Sequence, residues 1–155
     1  MRRRNSAVPL IIALIAIAAP LRAGSSSAEM NVSAHVIART ILTIDNQPSA
    51  VNITADDISR GYIDVPQAVA FHIRSNARDG FTLSFQPIDF PFSAAEVQWG
   101  GQGTVLQAGN AWSSPLIHPY QQGTSVGSLA VRLRIVAGAT PGSYAWPVQF
   151  EANSL

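Results

Sequence analysis

The sequence predicts an all-β fold, and three observations predict it. After residue 29 almost no stretch has helical periodicity, whereas many alternate apolar and polar residues with period two. Turn signals rich in Gly, Pro, Asn and Asp recur about every 8–12 residues between those runs. The chain contains no cysteine, so its fold rests on apolar packing or on a partner rather than on disulfides. Short strands at that spacing, in a domain of this size, point to a β-sandwich of immunoglobulin-like type.

Residues 1–28 read as an export signal. Arg2, Arg3 and Arg4 make a basic start, Val8 to Ala19 runs without a charge, and small residues follow at Ala23 and at Ser26-Ser27-Ala28. Cleavage falls after Ala23 or after Ala28. The apolar run is shorter than the roughly 20 residues of a membrane span, so no stable span is expected after cleavage. Arg2, Arg3, Arg4 and Arg22 leave with the signal. Of 10 basic residues, all arginine, 6 then remain against 9 acidic ones, and the net charge turns from +1 to −3. A mildly acidic chain without a basic cluster is not expected to bind nucleic acid.

The first exported segment alternates small apolar residues: Val32, Ala34, Val36 and Ala38 sit at spacing two. Arg39-Thr40 interrupts, and Ile41 to Ile44 resumes as strand. Met30 to Ile44 extended would reach about 50 Å, more than one sandwich strand requires. Two readings stay open. Residues 29–38 form an arm in front of a domain over 39–155, or residues 30–44 form one long, bent first strand. An arm of this pattern can serve as a strand for another molecule, with main-chain hydrogen bonds for adhesion and alternate side chains in pockets.

Further along, Ala55 to Ile58 is one turn of helix capped by Thr54, and Gly61 to Val65 is a short strand ahead of Pro66. Val69, Phe71 and Ile73 alternate with polar or small residues, as do Phe81, Leu83 and Phe85. The intervening Asn76-Ala77-Arg78-Asp79-Gly80 predicts a β-hairpin. Short strands are expected around Val97-Gln98-Trp99 and Thr104-Val105-Leu106. Leu129, Val131, Leu133 and Ile135 face one way, and Ala130, Arg132 and Arg134 the other. After Pro141-Gly142 the run Tyr144, Trp146, Val148, Phe150 repeats the pattern. Pro147 cannot donate to a ladder, so this last strand is expected at an edge or bulged. Its apolar face then needs cover.

Residues able to carry chemistry are scattered. His35, His72 and His118 show no metal-type spacing, and the acids Asp45, Asp56, Asp57 and Asp64 lack the spacing of a calcium loop. No Gly-x-Ser-x-Gly elbow is present. Asp89 and Glu96 are the conceivable carboxylate pair, and Trp99, Trp112 and Tyr120 the conceivable aromatic platform for a sugar. No catalytic residue, no metal and no cofactor is expected, and the chain reads as a non-enzyme.

The arrangement resembles pilin subunits of the chaperone–usher type, in particular the archaic branch related to spore-coat-U domains. The residues that carry the likeness are the arm Asn31-Val32-Ser33-Ala34-His35-Val36, the first strand Thr40 to Ile44, the strand Phe81 to Phe85 after Asp79-Gly80, and Pro141-Gly142-Ser143-Tyr144 with the closing strand Ala145 to Ala152. The family usually carries a cysteine in the first strand, where this chain has Ile41 or Leu42, and Trp146-Pro147 interrupts the final alternation. The resemblance implies an incomplete sandwich, completed by a donated strand. Val32, Ala34, Val36 and Ala38 would donate. Leu129, Val131, Leu133, Tyr144, Trp146, Val148 and Phe150 would line the accepting groove. The implied partners are neighbouring pilus subunits, a periplasmic chaperone and an outer-membrane usher, and the implied location is the periplasm and then a fimbrium at the cell surface, with a role in adhesion. The rival expectation is a self-contained secreted or periplasmic binding domain, for carbohydrate, built on the loops of residues 99–120. A secreted enzyme ranks third.

Overall fold

The computed structural model describes residues 30–109 and 113–155. Two compact units compose the chain, Met1–His35 and Val36–Leu155. Of the first unit Met30–His35 is described: it forms neither helix nor strand, and every residue is exposed. The export signal read at residues 1–28 and the platform residue Trp112 lie outside the described residues.

The second unit is all-β, as the alternation predicts, with a single helical turn. Its elements are β1 (Thr40–Asn46), β2 (Ala50–Ile53), α1 (Ala55–Arg60), β3 (Tyr62–Ser75), β4 (Phe81–Phe85), β5 (Phe92–Trp99), β6 (Gln102–Gln107), β7 (Leu116–His118), β8 (Thr124–Ile135), β9 (Gly142–Ala145) and β10 (Phe150–Ser154). A five-stranded sheet has the order β1-β3-β8-β5-β6, a three-stranded sheet the order β10-β4-β7, and β2 pairs with β9. All the ladders are antiparallel. One core joins the layers: Phe71 and Leu129 from the five-stranded sheet, Leu83 from the three-stranded sheet and Val51 from β2 belong to the same buried cluster.

Period two sets which residues enter that core. In β4 Phe81, Leu83 and Phe85 are buried while Thr82 and Ser84 are half-exposed. In β8 Leu129, Val131 and Leu133 are buried and Ala130, Arg132 and Arg134 are exposed. The helical turn forms where Thr54 predicts it. The Asp57 backbone N–H donates to Thr54 Oγ1 at 3.2 Å, and the Thr54 backbone N–H donates to Asp57 Oδ2 at 2.9 Å, a reciprocal capping box.

Two expectations are corrected. Residues 76–80 do not close a hairpin: β3 pairs with β1 and β8, whereas β4 pairs with β10 and β7. The turn carries the chain from one sheet to the other, so Ile73 and Phe81 enter the shared core from different sheets. Alternation dictates the face of a strand and says nothing of its neighbour. The closing run 144–150 is not one strand either. β9 ends at Ala145, residues 146–149 make no ladder, and β10 begins at Phe150. Pro147, without an N–H, sits in that break. Trp146 and Val148 are buried all the same. Before the break, the Tyr144 hydroxyl donates to the Thr140 carbonyl at 2.8 Å, the contact made by the tyrosine corner of sandwich domains.

Strand β3 carries an irregularity of its own. Val65 pairs with Val131 and Val69 with Leu129, so Pro66, Gln67 and Ala68 stand opposite Ala130 alone. Gln67 has φ 54°, a left-handed value rare outside glycine. The bulge begins at the proline, which lacks the N–H a regular ladder would use.

Candidate functional site

The two larger sheets meet along two lateral sides, and the sides differ. On one, β6 and β7 come together, and the Thr104 hydroxyl donates to the Ser114 carbonyl at 2.8 Å. The inward residues Thr104, Leu106 and Leu116 are buried there. On the other, β1 and β10 lie side by side; on neither side does a ladder join the two sheets. Among the described residues neither strand has a partner on its outer edge.

The register identifies which side chains face into this seam. Leu42 is opposite buried Ile73 and Ile44 opposite buried Phe71, so both share the core face of β1. Phe150 is opposite buried Phe85, and Ala152 opposite buried Leu83, so both share the core face of β10. Yet Ile44 is 39% exposed, and Leu42, Phe150 and Ala152 are only half-buried. At one end Thr40 Oγ1 and Ser154 Oγ stand 3.0 Å apart. Toward the other, the Phe150 ring meets Phe71 edge-on at 5.5 Å. Strands β1 and β10 therefore run antiparallel across the seam. Its inward side chains, Thr40, Leu42, Ile44, Phe150, Ala152 and Ser154, are all uncharged. Each bordering strand also presents unpaired backbone N–H and C=O groups. Unpaired edges beside alternating apolar side chains are the features that strand addition uses.

Of the seven groove residues expected from sequence, Phe150 borders the seam. Tyr144 is half-buried on β9. Leu129, Val131 and Leu133 lie on β8, which is paired on both sides, and form core beneath the sheet. Trp146 and Val148 are buried between β9 and β10. The donor residues Val32, Ala34, Val36 and Ala38 belong to no strand and are exposed, Val32 at 80% and Val36 at 75%. Sequence reasoning missed Leu42, Ile44 and Ala152. Their signal was the even phase of Thr40, Leu42 and Ile44, matched by Phe150, Ala152 and Ser154.

Several of the scattered chemical groups have structural partners. His72 Nδ1 and Asp45 Oδ1 are 2.8 Å apart. Asp57 bonds to Thr54 and Arg60, and the Thr54 hydroxyl above all holds its carboxyl below the ordinary value. Arg132 forks onto Asp64 at 2.6 and 3.0 Å. That hydrogen-bonded pair lowers the Asp64 pKa and raises that of Arg132. Glu96 is tied to Arg134 through a 2.8 Å bond rather than turned toward Asp89. Trp99 is no open sugar platform: its ring stacks on His118 at 4.6 Å and packs on Phe71 and Phe81. Among the described residues no three His, Asp or Glu side chains gather as metal ligands. Comparison of the chain with family models, with curated proteins and with solved structures finds no match in any of the three.

Proposed function

We propose that this chain is an exported structural subunit of a fimbria- or pilus-like surface assembly that polymerises by donor-strand exchange. Residues 29–38 of one copy enter the β1/β10 seam of the next, Val32, Ala34, Val36 and Ala38 pointing into the core. A periplasmic chaperone fills the seam before assembly, and an outer-membrane usher presides over the exchange. The observation that carries the reading is the seam itself: two unpaired strand edges whose core-facing side chains, Leu42, Ile44, Phe150 and Ala152, remain partly uncovered. The exposed, alternating arm has the composition that would cover them. Burying one Val-sized side chain contributes roughly 1.5–3 kcal/mol, so a few such insertions rival the whole stability of a domain.

The test is the state of the full exported chain. Purified without reduction or cross-linking, it should run as a ladder of oligomers on gels of unheated samples and collapse to one band on boiling. Val36→Asp, which places a charge in an apolar slot, should remove the ladder. A monomeric, stable exported chain, or a Val36→Asp variant that still polymerises, would falsify the proposal.

A further inference from the structure

A second feature lies on the outward face of the five-stranded sheet and does not depend on the seam. Six arginines follow residue 29. Arg60, Arg132 and Arg134 pair with Asp57, Asp64 and Glu96. Arg39, Arg74 and Arg78 have no acidic partner among the described residues. All three belong to one corner, where β3 ends and β1 begins. Arg39 and Arg74 line the same depression, of about 420 Å³, together with Ile41, Ser75, Asn76 and Thr124 and no carboxylate. The nearby acid Asp45 is engaged by His72.

The ladder explains the juxtaposition. Thr40 is opposite Ser75 and Ile41 opposite Arg74, so Arg39 precedes β1 beside Asn76, diagonal to Arg74. Arg74 in turn is opposite Thr124. The backbone of Arg39 is held in place. Its backbone N–H donates to Asn76 Oδ1 at 2.5 Å, its carbonyl accepts the Asn76 backbone N–H at 3.1 Å, and Asn76 Nδ2 donates to the Ile37 carbonyl at 3.0 Å. Two guanidinium groups that line one depression repel each other, and an oxyanion between them removes the repulsion while accepting their forked N–H bonds.

The depression is far roomier than a bare oxyanion needs, since a water molecule's share of volume is about 30 Å³. Ile41, 45% exposed, adds an apolar wall on which the C–H face of a ring can rest. The contrast with the depression of about 300 Å³ near the other end of β3 is instructive. That one is lined by Asp64, Glu96 and Arg132, and its cation is already neutralised. We propose that the Arg39/Arg74 depression binds an acidic sugar residue, its phosphate or sulfate ester between the two guanidinium groups and its ring against Ile41.

Equilibrium dialysis of labelled glucose 6-phosphate against the full exported chain, assembled or not, tests this. Saturable binding of one sugar per chain is expected, with competition by glucose 6-sulfate and none by glucose. The double variant Arg39→Gln/Arg74→Gln, with an unchanged circular-dichroism spectrum, should bind about tenfold more weakly or worse. Arg134→Gln should bind normally. Unchanged affinity in the double variant overturns the assignment. So does inorganic phosphate binding as tightly as glucose 6-phosphate, because the ring would then contribute nothing.

Discussion

The β6/β7 side and the β1/β10 side of the sandwich are built from the same alternation, yet only one is shut. At the shut side a hydroxyl-to-carbonyl bond crosses between Thr104 and Ser114, and Leu106 and Leu116 are almost fully buried. At the open side inward residues of the same type, Leu42 and Ile44, stay partly wet, and on neither side does a ladder join the facing strands. The difference lies in how deeply the inward side chains are buried rather than in their hydrophobicity, since a side-chain hydrogen bond crosses each side, between Thr40 and Ser154 on the open one. A sandwich edge can thus be apolar enough for core and still leave its inward side chains partly in water.

The largest expected effect lies on the shut side. Leu106→Ala should cost about 2–5 kcal/mol in denaturant unfolding, because the cavity has no route to collapse. Ile44→Ala should cost less than about 1 kcal/mol in the unfilled domain, since its side chain is already partly in water. Equal losses at the two positions would erase the distinction between the sides. A second break comes at Gly127, which faces the core opposite Phe71. A Cβ there would run into the Trp99 indole nitrogen and crowd Phe71. Gly127→Ala should therefore destabilise by about 1–3 kcal/mol, with a changed Trp fluorescence spectrum. A smaller loss, about 1 kcal/mol, is expected for Thr54→Ala, remote from both sides, through the cap of α1.

Acid sharpens the comparison by leaving the inward face of the seam untouched. The inward side chains of the seam are all uncharged. Asp57 and Asp64 carry carboxyl pKa values lowered from the ordinary 3.8 by Thr54 and by Arg132 respectively. A depressed folded value adds stability that is present above 3.8 and is lost as pH falls through the lower folded value. Thermal melts should hold steady from neutral pH down to about 4 and then decline, and Asp64→Asn should flatten that decline. An arm peptide bound in the seam should leave the slope of the decline unchanged.

Much of this was legible in the sequence. The β class, the capped turn at Thr54, the inward rows of β4 and β8 and the strands around Val97-Gln98-Trp99 and Thr104-Val105-Leu106 all follow from period two and local turn chemistry. The pairing of Phe81–Phe85 was not, because a turn such as Asn76–Gly80 serves a hairpin or a crossing between sheets equally well, and the choice is made by the core. The seam was half legible. Phe150 and the alternating arm stood out, but Leu42, Ile44 and Ala152 look like ordinary strand residues. Only the register shows that they border an edge and not a centre. The Arg39/Arg74 corner escaped for the same reason: its members lie 35 residues apart in sequence and meet only through the β1–β3 ladder.

The most direct test compares the melting of residues 39–155 alone and with a synthetic peptide of residues 29–39. If the seam awaits a strand, the peptide should raise the midpoint by about 5 °C or more, and the same peptide with Val32 and Val36 changed to Asp should not. A domain that melts cooperatively at one temperature whether the peptide is present or absent would mean that its edge is already complete.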